Sequence, residues 1–164
     1  VSLDDLDFSA DIAETENTIQ GNAELKAKFI NNRFNIDCFS DDTGLFIDSL
    51  DGLPGVKSAR YAGDNCSSDE NIDLVLKNLK NISNRNASFR TVICLIKNKK
   101  TYLFEGVVNG KITEERVGHD GFGYDPIFIP HGYDKTFSEL TINEKNAISH
   151  RGIAINKLVN FLNG

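Results

Sequence analysis

The chain has 164 residues, 40% of them hydrophobic, and carries 18 basic against 24 acidic side chains for a formal net charge of −6. That length suits one domain with an ordinary core. The negative balance excludes nonspecific grip on a nucleic-acid backbone, which needs a basic face, yet leaves room for a small phosphate site built from local donors.

In chain order, Val1–Leu3 reads as the end of a strand. Apolar residues at Ala23, Leu25, Ala27, Phe29 and Ile30 predict a helix over Asn22–Arg33, with Asn22 as its cap. Phe34–Phe39 and Gly44–Ile47 read as short buried strands flanking the polar Ser40-Asp41-Asp42-Thr43. Ser68–Leu79 is a second helix, with Asp69 and Glu70 in its first turn favouring the helix dipole. Ser88–Lys97 and Thr101–Val108 are strand-like, with Asn98-Lys99-Lys100 as a hairpin loop between them. Asn109-Gly110 is a second tight-turn signal leading into Lys111–Glu115, and Gly118–Gly123 is a loop. Ile148, Ile155, Leu158, Val159 and Leu162 mark one face of a C-terminal helix. Helices mixed with hairpin-linked strands predict an α/β fold with a mixed, partly antiparallel sheet.

The longest apolar stretches, such as Thr91–Ile96, fall far short of the roughly 20 residues a membrane helix needs. Cys38, Cys66 and Cys94 are odd in number and widely spaced, which fits neither a disulfide framework nor a zinc site. Reduced thiols and the lack of a signal-peptide pattern set the expectation of a cytoplasmic protein, with Cys38 and Cys94 buried in strands.

Four stretches have chemistry in them. Ser40-Asp41-Asp42-Thr43-Gly44 puts carboxylates at a strand end, suited to a hard cation and to taking a proton from water. Strand side chains alternate, so at most one of Asp41 and Asp42 faces a given pocket. The run from Gly118 to Pro126 is glycine-rich; its backbone can approach a ligand closely and Phe122 can offer its ring to a flat base. Glu144–Arg151, beside the first turn of the last helix, offers cationic donors to anions or carbonyl oxygens. Gly52–Gly63 is a turn and a polar stretch with nothing specific alone. Each has an ordinary structural reading: a solvated turn, a packed loop, surface side chains.

In this order the four stretches resemble the signatures of the inosine triphosphate pyrophosphatase family. Ser40-Asp41-Asp42-Thr43-Gly44-Leu45 and Gly55-Val56-Lys57-Ser58-Ala59-Arg60-Tyr61-Ala62-Gly63 match its central signature. Gly121-Phe122-Gly123-Tyr124-Asp125-Pro126-Ile127-Phe128 and Glu144-Lys145-Asn146-Ala147-Ile148-Ser149-His150-Arg151 match the two later ones. Glu14-Thr15 followed by Asn22-Ala23-Glu24-Leu25-Lys26-Ala27 is similar to its early helix. The resemblance implies an elongated two-lobed α/β fold with a long mixed β-sheet flanked by helices, one nucleotide pyrophosphatase domain over residues 1–164, a homodimer and a Mg²⁺ requirement. It implies hydrolysis of ITP, dITP and XTP to the monophosphate and pyrophosphate. By the same resemblance Asp42 is the proton acceptor and metal-associated carboxylate, Thr43 lies beside the substrate, and Lys26 reaches the phosphates. Phe122, Gly123, Tyr124, Asp125, Lys145, His150 and Arg151 form the base pocket. A pocket rich in donors favours a 6-keto purine over adenine, whose amino group would face other donors.

Two departures stand out. The family usually carries a glutamate directly before the Asn-Ala pair, where this chain has Gly21, leaving Glu14, Glu16 and Glu24 as nearby acids. The family also opens with a strand, a phosphate-gripping Thr/Ser-x-Asn-x-x-Lys loop and a helix, roughly 25–30 residues on typical element lengths, that this sequence lacks; the expectation is an N-terminal truncation. Alternative readings are a nucleotide-binding remnant without catalysis, and a Maf-like pyrophosphatase acting on modified pyrimidine nucleotides.

Overall fold

The computed structural model describes residues 2–164; Val1, assigned above to a strand end, lies outside them. Ser2 and Leu3 are not in a strand and lead into a short 3-10 turn, Asp4–Leu6. The first helix, α1 (Ile19–Phe34), starts earlier than its apolar spacing suggested. Its cap is Thr18, extended at φ −137, whose hydroxyl accepts from the Gly21 amide at 3.0 Å. Asn22 is no cap but a fully buried helical residue, its side-chain oxygen accepting from the Glu16 amide at 3.0 Å. The helix persists through Phe34 and ends at left-handed Asn35, whose amide reaches back to the Asn31 carbonyl at 2.8 Å. No strand therefore begins at Phe34.

The strand β1 runs unbroken over Cys38–Ile47. Ser40–Thr43 is thus not a loop between two strands: it is the middle of one. It stays extended because every residue from Cys38 to Ile47 is paired with β3 (Asn86–Lys97), from Cys38↔Ile96 to Ile47↔Ala87. A two-residue strand β2 (Pro54–Gly55) pairs only with Leu45 and Phe46 on the other side. Between β2 and β3 lies α2 (Ser68–Asn78), opened by a reciprocal cap in which Ser67 accepts from the Glu70 amide and Glu70 from the Ser67 amide.

From β3 the chain turns at Asn98 and Lys99, both left-handed at φ 52 and 63, into β4 (Lys100–Ile112). This is a two-residue hairpin, so Lys100 is a strand residue paired with Lys97. Asn109-Gly110 makes no turn and lies inside β4. Gly110 serves the neighbouring strand β5 (Phe128–Pro130): a Cβ there would stand 2.6 Å from the Phe128 ring and would strike the Ile129 carbonyl. The sheet order is β2-β1-β3-β4-β5 and all four pairings are antiparallel, so the parallel component of a mixed sheet is not found among the described residues. Two helices close the chain, α3 (Ile142–Ile148) and α4 (His150–Asn163). Ser149, extended at φ −69 and ψ 152, separates them, and its hydroxyl caps α4 through the Gly152 amide at 3.0 Å.

Alternation along β3 divides the molecule into layers. Val92, Cys94 and Ile96 lie under Ile19, Ala23 and Ala27 of α1. Ile93 and Leu95 face the other way, under Ala154 and Leu158 of α4. A strand covered on both faces needs a continuous apolar run, which accounts for Thr91–Ile96. At the other end of the same strands Leu45, Ile47 and Phe89 join α2, Phe128 and Phe137 in the largest cluster. Each fully buried side chain of this size contributes about 1.5–3 kcal/mol. The separate clusters at the two ends of the long strands make the two lobes. On α4 the buried face is Ala154 and Leu158, while Ile155, Val159 and Leu162 are exposed and Ile148 belongs to α3, which corrects the apolar stripe expected there.

Candidate active site

The β1 register assigns the two aspartates to opposite faces. Asp42 stands opposite Val92, on the α1 side; Asp41 stands opposite Ile93, on the α4 side. On the first face Asn22 donates to Asp42 Oδ2 at 3.2 Å and Lys26 Nζ to Asp42 Oδ1 at 3.3 Å. Asn22 and Lys26 are one helical turn apart, so both reach the strand together. Lys26 Nζ also donates to Glu14 Oε1 at 2.7 Å, and Arg60 donates to Glu14 Oε2 at 3.4 Å and to its carbonyl at 3.3 Å. Two carboxylates therefore converge on one partly buried ammonium.

Burial raises the Asp42 carboxyl above its usual value; the Lys26 charge opposes this without cancelling it, and Glu14 adds to the rise. Burial alone would lower Lys26, but the hydrogen bond to Glu14 and the charges of Asp42 and Glu14 outweigh it and hold the ammonium above its ordinary value. Of the three acids near Gly21, only Glu14 joins this group: Glu24 is occupied by Lys28 at 2.8 Å and Gln20 at 3.0 Å. Glu16 packs over Gly21 itself, where a Cβ would come within 2.7 Å of Glu16 Cβ, so a glutamate at position 21 would need Glu16 to move.

The opposite face carries a small, largely apolar pocket of about 170 Å³ lined by Thr43, Leu45, Ser58, Phe89, Phe122–Asp125 and His150. Thr43 shares a 2.7 Å hydroxyl–hydroxyl hydrogen bond with buried Thr91 across the β1–β3 ladder. Tyr124 donates to the Ser58 carbonyl at 2.8 Å, and burial pushes its phenol up, so it stays a neutral donor. Asp125 accepts from the Phe122 amide at 2.8 Å and is ion-paired with Lys145, both largely buried. The Lys145 ammonium also lies 4.4 Å from the centroid of Phe122, a ring 65% exposed at the pocket mouth.

His150 stacks on Phe89 at 4.6 Å and 10° between planes. Burial, helped by the Arg151 and Lys145 charges, pushes its imidazole down to about 3, so the ring is neutral at physiological pH. Its buried Nδ1 has no hydrogen-bond partner among the described residues. Arg151 donates to Asp41 Oδ2 at 2.8 Å, beside Thr43 on the same face.

The sequence-derived residues thus separate into two groups on opposite faces of β1. Asp42 and Lys26 are together on one; Thr43, Phe122, Gly123, Tyr124, Asp125, Lys145, His150 and Arg151 gather on the other. Sequence reasoning missed Asn22, which it took for a cap, as well as Arg60 and Phe89. The spacing of Asn22 to Lys26 and the place of Phe89 on the Thr91 face of β3 were the available signals.

A hard cation fits the Asp42 group. Its two carboxylates share one cationic position, and among the described residues no cluster of three metal-binding side chains exists. Mg²⁺ is commonly held in this way, by one or two carboxylates completed by substrate phosphates and water. Among the described residues no helix is long and apolar enough to cross a membrane, and all three cysteines are free; Cys94 is buried as expected, Cys38 only half-buried.

Comparison with known proteins agrees with the motifs. The profile of the Ham1 family matches residues 1–161. A dITP/XTP pyrophosphatase of Flavobacterium johnsoniae is 50% identical over 162 residues, covering 99% of this chain and 84% of that protein. The structure of the Staphylococcus aureus Ham1 protein superposes with a TM-score of 0.95 at 41% identity, covering 100% of this chain and 86% of the other. That of a HAM1 protein from Coxiella burnetii gives 0.90 at 42%, covering 94% and 81%.

Proposed function

Because this chain belongs to the Ham1 family, we propose that it hydrolyses deaminated purine nucleoside triphosphates (ITP, dITP and XTP) to the monophosphate and pyrophosphate, removing them from the nucleotide pool. The observation that carries this reading is the convergence of Asp42 and Glu14 on Lys26, on the strand whose other face lines an apolar aromatic pocket. The dITP/XTP pyrophosphatase named among its relatives supports it.

Asp42 and Glu14 would hold Mg²⁺, which supplies charge neutralisation on the phosphate oxygens when bound. Asp42 takes the proton of the attacking water as the bond between the α- and β-phosphates breaks and pyrophosphate leaves. Its raised proton affinity makes it a stronger base than an exposed aspartate. Lys26 turns its ammonium from the carboxylates to the phosphates. On the other face the base enters between Phe122 and the Phe89–His150 stack. The remaining Lys145 hydrogens, Arg151 and His150 Nδ1, which has no hydrogen-bond partner among the described residues, select the 6-keto edge, and the mispaired amino group of adenine is rejected.

The test is steady-state hydrolysis of ITP, dITP, XTP, ATP and GTP with Mg²⁺, with pyrophosphate and phosphate detected separately. Deaminated purines should lead by orders of magnitude with pyrophosphate as product; release of single phosphate would overturn the reading. We further propose a cytoplasmic homodimer. The sheet face carries exposed Leu103 and Val107 and half-buried Phe46 beside Arg90 and Glu105, which form no ion pair among the described residues and would pair across a twofold axis. A monomer in sedimentation equilibrium would refute the dimer.

A further inference from the structure

Glu14 lies in a stretch, residues 8–16, that is neither helix nor strand. A carboxylate on such a segment has no regular backbone to hold it, and ordering it costs conformational entropy. Among the described residues its side chain is tied down at two points, by Lys26 and by Arg60. The Lys26 contact is one that catalysis must break if the ammonium is to reach phosphate. The Arg60 contact is different. One guanidinium nitrogen holds the Glu14 carboxylate and another the Glu14 carbonyl, so side chain and backbone are fixed together.

Arg60 itself stands on a rigid base. It ends the 3-10 turn Ser58–Arg60, in which Ser58 Oγ accepts from the Leu45 amide at 2.8 Å and donates to the Gly55 carbonyl at 2.6 Å. Buried Asn71 of α2 locks the same turn, donating to the Ala59 carbonyl at 3.1 Å and accepting from the Ala62 amide at 2.8 Å. The Ser58 carbonyl receives Tyr124. The turn is therefore fastened to β1, to α2 and to the base-pocket loop, and among the described residues it is Arg60 that hydrogen-bonds from it to the Glu14 segment.

We infer that Arg60 is a positioning residue that holds Glu14 at the cation-binding side of Asp42, coupling the irregular N-terminal stretch to the rigid turn. The inference rests on the proposed cation site. Electrostatics alone predicts the opposite outcome: a guanidinium beside the site repels a dication, so deleting it should tighten metal binding. Positioning predicts weaker binding, since outer-shell partners of metal ligands are commonly worth 10–100-fold in affinity. The sign of the effect decides.

The experiment is Mn²⁺ titration by electron paramagnetic resonance, with a non-cleavable α,β-methylene inosine triphosphate present. Arg60→Ala should weaken Mn²⁺ binding on the order of tenfold. Arg60→Lys should recover part of it, because one ammonium cannot hold the carboxylate and the carbonyl in the guanidinium geometry. Glu14→Gln should weaken binding too, and adding Arg60→Ala to it should cost nothing more, because Arg60 acts through Glu14. Binding in Arg60→Ala as tight as wild type, or tighter, overturns the inference, as does full additivity in the double variant. Should Arg60→Ala fail to fold, Arg60→Lys decides on the same criterion. If Asp42→Asn and Glu14→Gln both leave Mn²⁺ binding unchanged, it is the cation site itself that fails.

Discussion

Asp41 and Asp42 are neighbours of identical chemistry on opposite faces of one strand, so replacing each by Asn separates the proposed catalysis from the proposed base recognition. On the proposed mechanism Asp42→Asn removes the proton acceptor, a role worth 10²–10⁴-fold, and a cation ligand with it. Turnover of ITP at saturating Mg²⁺ should fall by about 10³-fold or more. Asp41→Asn removes only the pair with Arg151, in which both side chains are more than a third exposed. Such pairs contribute about 0.2–1 kcal/mol, or less than about sixfold in rate. The loss should appear in KM and in the ITP-to-ATP ratio while kcat holds. Stability adds an independent readout. The Asp42 carboxyl is raised, so its contribution to folding is favourable below the unfolded value near 3.8 and is lost as pH rises through the folded value. At neutral pH the ionised group is a burden on the fold, and Lys26 keeps Glu14 when it goes. Asp42→Asn should therefore melt at or above wild type near neutral pH, with the difference vanishing in acid. A dead Asp41→Asn beside an active Asp42→Asn would refute the assignment of faces and the chemistry built on it.

Lys145→Ala leaves the nearly fully buried Asp125 carboxylate without its partner, and breaking a buried pair costs about 3–5 kcal/mol. Urea unfolding should show that loss along with poorer selection of ITP over ATP; an unchanged midpoint would place the pair outside the stability of the base-pocket loop. His150, ordinarily near 6.5 and here held at about 3, adds stability that is present above its unfolded value and is lost as pH falls from about 6.5 toward 3. Its ring resonances should stay flat from about pH 8 to about pH 5, and a midpoint near 6 in the folded protein would refute the buried neutral imidazole.

What the sequence makes legible follows from how local the cause is. The Asp41/Asp42 alternation was readable because a strand's period of two is a backbone property. The two helices flanked by Ser67 and Ser149 were readable as periodic runs, although Ile155, Val159 and Leu162 turn out exposed because the depth of α4 is set by its packing against β3 and β4. Errors arose where a local signal met a distant partner. Asn109-Gly110 has turn chemistry, but β5, nearly 20 residues further along, needs that glycine for close approach and keeps it in the strand. Ser40–Thr43 looks like a loop because it is polar, yet each side chain has a partner that only the tertiary fold supplies: Ala23, Arg151, Lys26 and Thr91. Arg60 stood in a matched signature stretch, yet nothing local tied it to Glu14, because that partner is 46 residues away.

The division of the site between two faces constrains how a nucleotide can occupy it. The base pocket and the Asp42 group are separated by β1 itself, so a ligand touching both must pass an edge of that strand. One edge is sealed by β3 along its whole length; the other meets β2 only at Leu45 and Phe46. Beside those residues the outward amides of Leu45 and Ile47 are already taken, by Ser58 Oγ and the Leu53 carbonyl. By the alternation of an antiparallel ladder the Thr43 amide points to the same outer side. On the proposed reading the route from base to phosphates therefore runs over the Thr43–Gly44 edge, past a backbone amide able to meet an anionic oxygen. Thr43 joins the two groups for this reason: its side chain is held on the pocket face by Thr91, while its backbone lies on the strand edge between that face and Asp42.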